Sequence, residues 1–371
     1  MKSKDISSKI LNISRVIMTL WQQQSISRIE VAEVLGLDKS TITKIIHLLM
    51  QKDLIKEVSA RSSHSQGGRP KVSLSLNNDI GILVGVELQD SQMSLSVVDV
   101  SCKVLYRKII PLNGRVKSLN EVVELLIPEI ADIEAKFSYV LAVGVGMPGL
   151  IDPQQGLVEV SYAFEVDEPI ALVELLSQKL PYPVYCDNDA NCAAWGELMQ
   201  SRGHPIENSI YVLFTTHHQH RSTESLGIGL GFVLNGQIFY GDDFLAGQYS
   251  SAVALTKENA TVAEIMSEFT HALMIIGRVL NIRHVFIGGE AEKYGSELVS
   301  RIQELKPQES GPATWQPEII FSTLGTQAVS AGAAAMAWQK LLGPELLLMD
   351  VLEQRAEKKL LEKKTDEGNV S

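Results

Sequence analysis

Apolar residues recur at steps of three and four positions through the first fifty residues, the pattern of helices that each bury one face. This pattern predicts a helix through Ile6–Leu20, a short helix over Arg28–Leu35 and a third over Lys39–Lys52. Their apolar faces are expected to share one small core. The positions expected to pack in the last two helices are Ile29, Val31, Ala32, Leu35, Ile42, Ile45, Ile46 and Leu49.

Polar residues mark the starts of the second and third helices. Ser27 and Glu30 have the spacing of a capping box, and Asp38, after the turn at Gly36, can cap the third helix. Two helices joined by such a short turn are typical of a helix-turn-helix, whose second helix places its first turns in the major groove of DNA. The residues expected to contact DNA from these helices are Arg28, Lys39, Ser40, Thr41, Thr43 and Lys44.

Two short segments after the third helix predict a β-hairpin. Its strands are expected at Leu54–Ser59 and Lys71–Leu76, on either side of a loop that contains Gly67, Gly68 and Arg69. A helix-turn-helix followed by a hairpin is a winged helix, here residues 1–76, and the glycines would let Arg69 approach a narrow minor groove. The alternative is that the same elements form a module that docks on another protein.

Charge is distributed unevenly along the chain. Residues 1–79 carry 12 Lys and Arg against 7 Asp and Glu, a net charge of +5, whereas the whole chain has −11 and residues 80–371 therefore have −16. Only the front would be attracted to a phosphate backbone. The chain has no stretch of ~20 apolar residues. Together with three scattered cysteines, this predicts a cytoplasmic protein with reduced thiols and no membrane partner.

The pattern after residue 80 predicts two rounds of the same order of elements. Three apolar strands between residues 80 and 110 form a meander, followed by a helix over 119–136 and a strand at 140–145. A second meander, helix and strand follow between residues 210 and 288. The repetition predicts an α/β body of two lobes with a cleft between them. The expected bounds are 80–190 for the first lobe, 191–345 for the second, and 346–371 for a C-terminal helix with a disordered tail.

Several glycine-containing motifs follow one another in the order of a known family. They are Gly144–Asp152 (GVGMPGLID), Asp187–Glu197 (DNDANCAAWGE), Gly227–Gly231 (GIGLG) and Ile287–Gly289 (IGG). On these motifs the body resembles the ROK family of repressors, open reading frames and sugar kinases. The front, with its Gly-Gly-Arg wing, resembles the branch of N-acetylglucosamine, glucose and xylose repressors. The resemblance implies an N-terminal winged helix-turn-helix followed by a two-lobed actin/hexokinase-like body of duplicated ribonuclease H-like topology.

The chain departs from this resemblance where kinase members bind ATP and where the family binds zinc. Glu87–Gln92 lacks the glycine turn that would hold phosphates, and the second phosphate loop is altered in Thr215–Ser225. Gln248 and Ser251 stand where the family has a glutamate and a zinc-binding histidine, and no cysteine loop follows. We therefore expect no metal, no cofactor and no enzymatic activity.

Three residues are candidates for contact with a ligand, namely Asn188, Asp189 and Gln248. In kinase members the matching aspartate takes a proton from the sugar, so the resemblance implies that Asp189 accepts a hydrogen bond from a ligand hydroxyl. The alternative is that the Asp-Asn-Asp segment only caps the helix that follows. A separate group, His217, His218 and His220, is expected in a solvated loop rather than at a metal site.

Together these observations predict a sequence-specific transcriptional regulator, a repressor of carbohydrate-metabolism genes. It would bind double-stranded operator DNA as a homodimer or higher homo-oligomer, and its body would bind a sugar or sugar-phosphate effector. Two alternatives stay open. One is a sugar kinase with a DNA-binding arm, and the other is a regulator controlled by a protein partner.

Overall fold

Three helices and a two-stranded sheet form the front of the molecule. They are α1 (Lys2–Gln23), α2 (Arg28–Leu35), α3 (Lys39–Gln51), β1 (Ile55–Ser59) and β2 (Val72–Leu76). The two strands pair antiparallel, in the arrangement of a wing. The computed structural model describes residues 2–59, 72–112, 118–137, 139–203, 206–218, 224–257, 260–305, 315–343 and 347–368.

The predicted caps hold the two helices of the helix-turn-helix in place. Ser27 Oγ accepts a hydrogen bond from the Glu30 amide at 3.3 Å, and Glu30 returns one to the Ser27 amide at 2.9 Å. The turn between the helices passes through Gly36 at a φ of +62°, which a glycine adopts without strain. The predicted helix-turn-helix and its capping box are therefore confirmed.

The prediction that Ile29 packs in the core is wrong. Its side chain is 55% exposed, whereas Val31 and Ala32 on the same helix are buried. The helix has only eight residues, so a single narrow face meets α1 and α3, and Ile29 falls outside that face. The four buried positions predicted in α3, Ile42, Ile45, Ile46 and Leu49, are confirmed.

The first lobe contains five strands of one sheet, a small hairpin and two helices. The large sheet is built from β3 (Ile82–Leu88), β4 (Gln92–Asp99), β5 (Val104–Pro111), β6 (Val140–Met147) and β9 (Val184–Asn188). The hairpin and helices are β7 (Leu150–Asp152), β8 (Leu157–Val160), α4 (Leu119–Phe137) and α5 (Leu172–Ser177).

The second lobe repeats this plan. Its sheet is built from β10 (Ser209–His218), β11 (Glu224–Leu234), β12 (Gln237–Ile238), β13 (His284–Gly289) and β14 (Glu318–Phe321). The remaining helices are α6 (Asp189–Gln200), α7 (Ala252–Thr256), α8 (Val262–Val279), α9 (Ala291–Leu305), α10 (Ala328–Leu341) and α11 (Leu347–Gly368).

The two large sheets have the same topology. Their strand orders are β5-β4-β3-β6-β9 and β12-β11-β10-β13-β14. In each, the first strand of the meander pairs antiparallel with the second strand and parallel with the strand that follows the helix. The duplicated α/β body predicted from the sequence is therefore confirmed.

Helices α6 and α10 pack against each other between the two sheets. Their backbones come so close that a Cβ on Gly332 of α10 would lie 1.7 Å from the carbonyl oxygen of Cys192 on α6. A Cβ on Gly85 of β3 would similarly lie 1.8 Å from the carbonyl oxygen of Ser330. Glycines and alanines thus allow α10 to join the sheet of one lobe to the helix that covers the other.

One apolar core joins the front to the body. It contains α1 side chains, the helix-turn-helix, the end of α10 with Trp338, and α11 with Leu348 and Val351. Trp21 of α1 is buried in it, and its Nε1 donates a hydrogen bond to the carbonyl oxygen of Val100 at 3.0 Å. The helix-turn-helix is therefore packed on the body rather than tethered to it.

Helix α6 begins at Asp189, directly after β9, because Asn188 caps it. Helix α11 extends to Gly368, into the C-terminal region where a disordered tail is expected. None of the helices among the described residues is long and apolar enough to cross a membrane.

We predict that Trp21→Ala lowers the free energy of unfolding of the full chain by about 3–5 kcal/mol, because it empties part of the shared core. Chemical denaturation followed by far-UV circular dichroism measures this. The matched control is Ile29→Ala, which removes an exposed side chain and should change stability by less than about 0.5 kcal/mol. Equal effects of the two substitutions would contradict the shared core.

Candidate DNA-binding face and ligand cleft

The first turns of α3 present polar side chains to solvent. Lys39, Ser40, Thr43 and Lys44 are exposed and Thr41 is half-buried, while the opposite face of the helix lies in the core. A helix held this way projects its N-terminal polar residues outward, as a recognition helix must.

Asp38 orders the start of this helix. Its carboxylate accepts hydrogen bonds from the Ser40 and Thr41 hydroxyls, both at 2.6 Å, and from the Thr41 amide at 2.8 Å. These bonds hold the pKa of Asp38 well below its usual range, so the cap stays charged at neutral pH. The hydroxyls of Ser40 and Thr41 are thus oriented by the cap, and that of Thr43 donates to the Lys39 carbonyl at 2.7 Å.

Arg28 lies apart from the exposed face of α3. Its guanidinium donates to Glu57 of β1 at 2.7 Å and approaches the sulfur of Met50 at 3.8 Å. Arg28 therefore ties α2 to the wing. The predicted wing residues Gly67, Gly68 and Arg69 lie outside the described residues.

A small cleft opens between the lobes beside their central strands. β3 and β6 of the first sheet and β13 of the second end there, and β10 passes through it at Thr215 and Thr216, which is where open α/β sheets bind ligands. The cleft is lined by Gln89, Asp90, Pro148, Asp189, Thr215, Thr216 and Glu290.

Of the three predicted ligand residues, Asp189 lines this cleft, whereas Asn188 and Gln248 do not. Asn188 is the N-cap of α6, and its Oδ1 accepts from the amide of Ala190 at 2.9 Å. The side-chain amides of Asn188 and Gln248 both donate to the carbonyl oxygen of Gly149 at 3.0 Å. The capping interpretation thus holds for Asn188, and Gln248 connects the second lobe to the first.

Asp187 lies fully buried behind the cleft wall. It accepts hydrogen bonds from Tyr240 at 2.7 Å and from the side-chain amide of Asn191 at 3.0 Å. Burial raises the pKa of Asp187 to about 6 even though these bonds act in the opposite direction. Asp187 thus joins β9, on which it lies, to α6 and to the segment after β12. These bonds hold the wall of the cleft to which Asp189 belongs.

At the position where the family binds zinc, this chain has a set of hydrogen bonds to one carboxylate. Glu268 of α8 accepts hydrogen bonds from the Ser251 hydroxyl and from the amides of Ala252 at 2.9 Å and Val253 at 3.4 Å. These bonds hold the start of α7 against α8 and lower the pKa of Glu268. Among the described residues no group of three His, Cys, Asp or Glu side chains is placed to hold a metal ion.

The histidine run was predicted in a loop, and this is wrong for two of its members. His217 and His218 end strand β10, paired with Ser225 and Glu224 of β11. β10 continues as far as His218 because its antiparallel pairing with β11 extends to these two residues. His220 lies outside the described residues.

Glu87 is a buried acid that sequence reasoning did not single out as a site residue. Its side chain is 3% exposed; one oxygen accepts from Gln89 at 2.6 Å, and the other has no hydrogen-bond partner among the residues that the structure describes. Burial, with repulsion from Asp189, raises the pKa of Glu87 to about 8. A charged residue within an otherwise apolar strand was the signal that could have identified it.

We predict that Glu87→Gln stabilises the protein more at pH 9 than at pH 5. The folded-state pKa of about 8 lies above the ordinary value of 4.5. Stability from the bound proton is therefore complete below pH 4.5 and lost as pH rises through 8. Glutamine carries no such proton, so the difference between variant and wild type should grow by a few kcal/mol over this range. Urea unfolding at several pH values measures it, and parallel stability curves would contradict the assignment.

Comparison with known proteins follows the two parts of the structure. Residues 83–250 match the ROK family model, and residues 14–59 match the MarR family model. The chain is 30% identical over 235 residues to the DNA-binding transcriptional dual regulator NagC of Escherichia coli strain K12, covering 63% of this chain and 55% of NagC. It is 23% identical over 243 residues to a putative xylose repressor of Caldicellulosiruptor sp. strain Rt8B.4, covering 65% of this chain and 58% of that protein. The matches thus span less than two thirds of these relatives.

Solved structures show the same fold. A ROK family transcriptional regulator described as a homolog of the E. coli MLC protein superposes with a TM-score of 0.70 at 22% identity, over 94% of this chain and all of that one. A ROK family glucokinase from Streptomyces griseus, in complex with glucose and AMPPNP, superposes with a TM-score of 0.56 at 18% identity, over 70% of this chain. The resemblance predicted from the glycine motifs is confirmed. Residues 83–250 thus match the ROK family, and the body has the fold of ROK proteins behind a winged helix-turn-helix.

Proposed function

We propose that this chain is a sequence-specific DNA-binding transcriptional regulator that represses genes of carbohydrate metabolism. The observation that carries the proposal is the recognition-helix geometry of α3, with exposed Lys39, Thr43 and Lys44 above a buried apolar face. The similar proteins, a DNA-binding transcriptional dual regulator and a putative xylose repressor, support the same function. The net charge of +5 over residues 1–79 favours DNA over a protein as the partner.

The expected contacts form two sets. Lys39, Ser40, Thr41, Thr43 and Lys44 would enter the major groove, and Arg69 of the wing would enter the minor groove. Arg28 would act indirectly, by fixing the wing through Glu57. We propose that a homodimer places two such heads on half-sites about one or two helical turns apart.

The body is proposed to sense a sugar rather than to phosphorylate one. After β3 the chain has Gln89 and Asp90 in the cleft in place of a glycine turn, so side chains occupy the space that a phosphate would need. The observation that favours the kinase alternative is Asp189, which lines the cleft at the position of a general base. A coupled assay of ATP consumption across a panel of hexoses and pentoses distinguishes the two: the regulator predicts no turnover.

We predict that Lys44→Ala weakens binding to operator DNA severalfold and reduces the slope of log affinity against log salt by about one, because one phosphate contact is lost. Fluorescence anisotropy at several salt concentrations on a selected duplex measures both quantities.

The matched control for this prediction is Lys179→Ala. Lys179 is an exposed lysine of the body that pairs with Glu124 at 2.8 Å, so its loss changes the total charge equally without touching the proposed interface. If Lys44→Ala and Lys179→Ala have the same affinity and slope as the wild type, α3 does not bind DNA as proposed.

A further inference from the structure

The carboxylate of Glu290, which lines the cleft, is bonded to both the backbone amide and the side-chain hydroxyl of one residue, Thr216. Glu290 follows β13, and its two oxygens accept hydrogen bonds from the Thr216 amide at 2.8 Å and the Thr216 hydroxyl at 2.6 Å. The Glu290 amide donates to the carbonyl oxygen of Phe214 at 2.8 Å. Glu290 is therefore fixed to β10 at both its backbone and its side chain.

Two glycines make this attachment possible. A Cβ on Gly289 would lie 2.2 Å from the carbonyl oxygen of Phe214, and one on Gly288 would lie 1.7 Å from the hydroxyl oxygen of Tyr211. Gly289 also has a φ of +66°, which side chains disfavour. The Gly-Gly sequence thus brings the end of β13 against β10 and delivers the next side chain to Thr216.

A backbone amide beside a hydroxyl at the end of a strand is a donor pair suited to an anion such as a phosphate oxygen. In this cleft the pair is already saturated by the Glu290 carboxylate. We infer that Glu290 acts as a built-in anion that fills this position, so that the cleft selects an uncharged, hydroxyl-rich ligand and rejects phosphorylated sugars and nucleotides.

The other charges in the cleft act in the same direction. Asp90 and Asp189 line it together with Glu290, and the described lining contains no lysine or arginine. Lys293 lies beside the cleft rather than in its lining, with its Nζ 3.5 Å from the Thr216 hydroxyl. A phosphate dianion would therefore meet repulsion, whereas the hydroxyls of a neutral sugar would find carboxylate acceptors.

A separate observation indicates that the cleft is built for a polar ligand. Within the described part of the chain, the buried Glu87 has one oxygen without a hydrogen-bond partner. Its other oxygen accepts a hydrogen bond from Gln89 of the lining, and its carboxylate is repelled by that of Asp189. A buried polar atom left unpaired is rare in proteins and is expected near functional sites. The acids do not converge as a metal site among the described residues, which favours an organic ligand over a cation.

This inference specifies the chemical class of the effector. It rests on the proposed function only in that it treats the ligand of the cleft as the effector of a regulator. The test uses the full chain and four kinds of probe: inorganic phosphate, the magnesium complex of AMPPNP, neutral sugars (glucose, xylose and N-acetylglucosamine), and the 6-phosphates of the two hexoses. Isothermal titration and thermal unfolding measure binding. The variants are Glu290→Ala, which vacates the donor pair, and Glu290→Gln, which keeps the shape but removes the charge.

The matched control is Glu292→Ala. Glu292 is an exposed acid in the first turn of α9 that does not line the cleft, so its loss changes the net charge equally. We expect no binding of phosphate or AMPPNP by the wild type or Glu292→Ala. At least a tenfold gain in phosphate affinity is expected in Glu290→Ala, with a smaller gain in Glu290→Gln.

Neutral sugars should bind the wild type at least tenfold more tightly than their 6-phosphates, and this preference should shrink in Glu290→Ala. Binding of phosphate or a sugar phosphate by the wild type as tightly as by the variants would overturn the inference. If Glu290→Ala does not fold, Glu290→Gln and the wild type decide the question. Should DNA binding fail while the phosphate results hold, the proposed function is wrong and the assignment of Glu290 stands.

Discussion

The close packing of α10 between the two lobes is the constraint on which the rest of the structure depends. Its glycine and alanine residues let its backbone touch β3, β6 and α6, and no larger side chain fits at Gly332 or Gly85. The end of the same helix carries Trp338 into the core shared by α1, the helix-turn-helix and α11. One rigid helix therefore contacts both the element that bears Asp189 and the elements that carry the recognition helix.

This arrangement gives the cleft between the lobes a direct physical connection to the proposed DNA-binding end. Asp189 is the first residue of α6, and α6 packs along α10. A ligand that changes the separation of the lobes would have to move α6 against α10 or carry α10 with it, since packed interiors respond by discrete shifts rather than by continuous deformation. The hydrogen bond from Gln248 to Gly149 also joins the two lobes, so it would have to break if they moved apart.

Much of this fold could be predicted from the sequence because its signals are local. Ser27, Glu30 and Asp38 define helix starts within four residues of themselves, and the repeated meander shows the duplication. The elements that the sequence does not predict have weaker signals. α7 is five residues long and buries none of them, and β14 is four residues long, with two half-buried residues between two exposed ones. α9 does have an apolar stripe, at Tyr294, Leu298 and Ile302, so its periodicity could have revealed it.

The chemistry of the cleft was less predictable because it depends on partners that are distant in sequence. The side chains of Asn188 and Gln248 both donate to the carbonyl oxygen of Gly149, and only the folded chain brings these three residues together. Glu290 is bonded to Thr216, 74 positions earlier in the chain, and Glu268 to Ser251, 17 positions earlier. No local pattern encodes such pairs. The domain bounds and the individual DNA contacts stay predictions.

The most direct test of the account is the sequence specificity of DNA binding by the full chain. Duplexes enriched from a random pool by the protein would be compared with unselected duplexes by fluorescence anisotropy, at physiological salt and with excess competitor DNA. The account predicts a two-fold symmetric consensus that is bound at least a thousandfold more tightly than random DNA, with an affinity that changes when a neutral sugar occupies the cleft. Equal affinity for selected and random duplexes would contradict it.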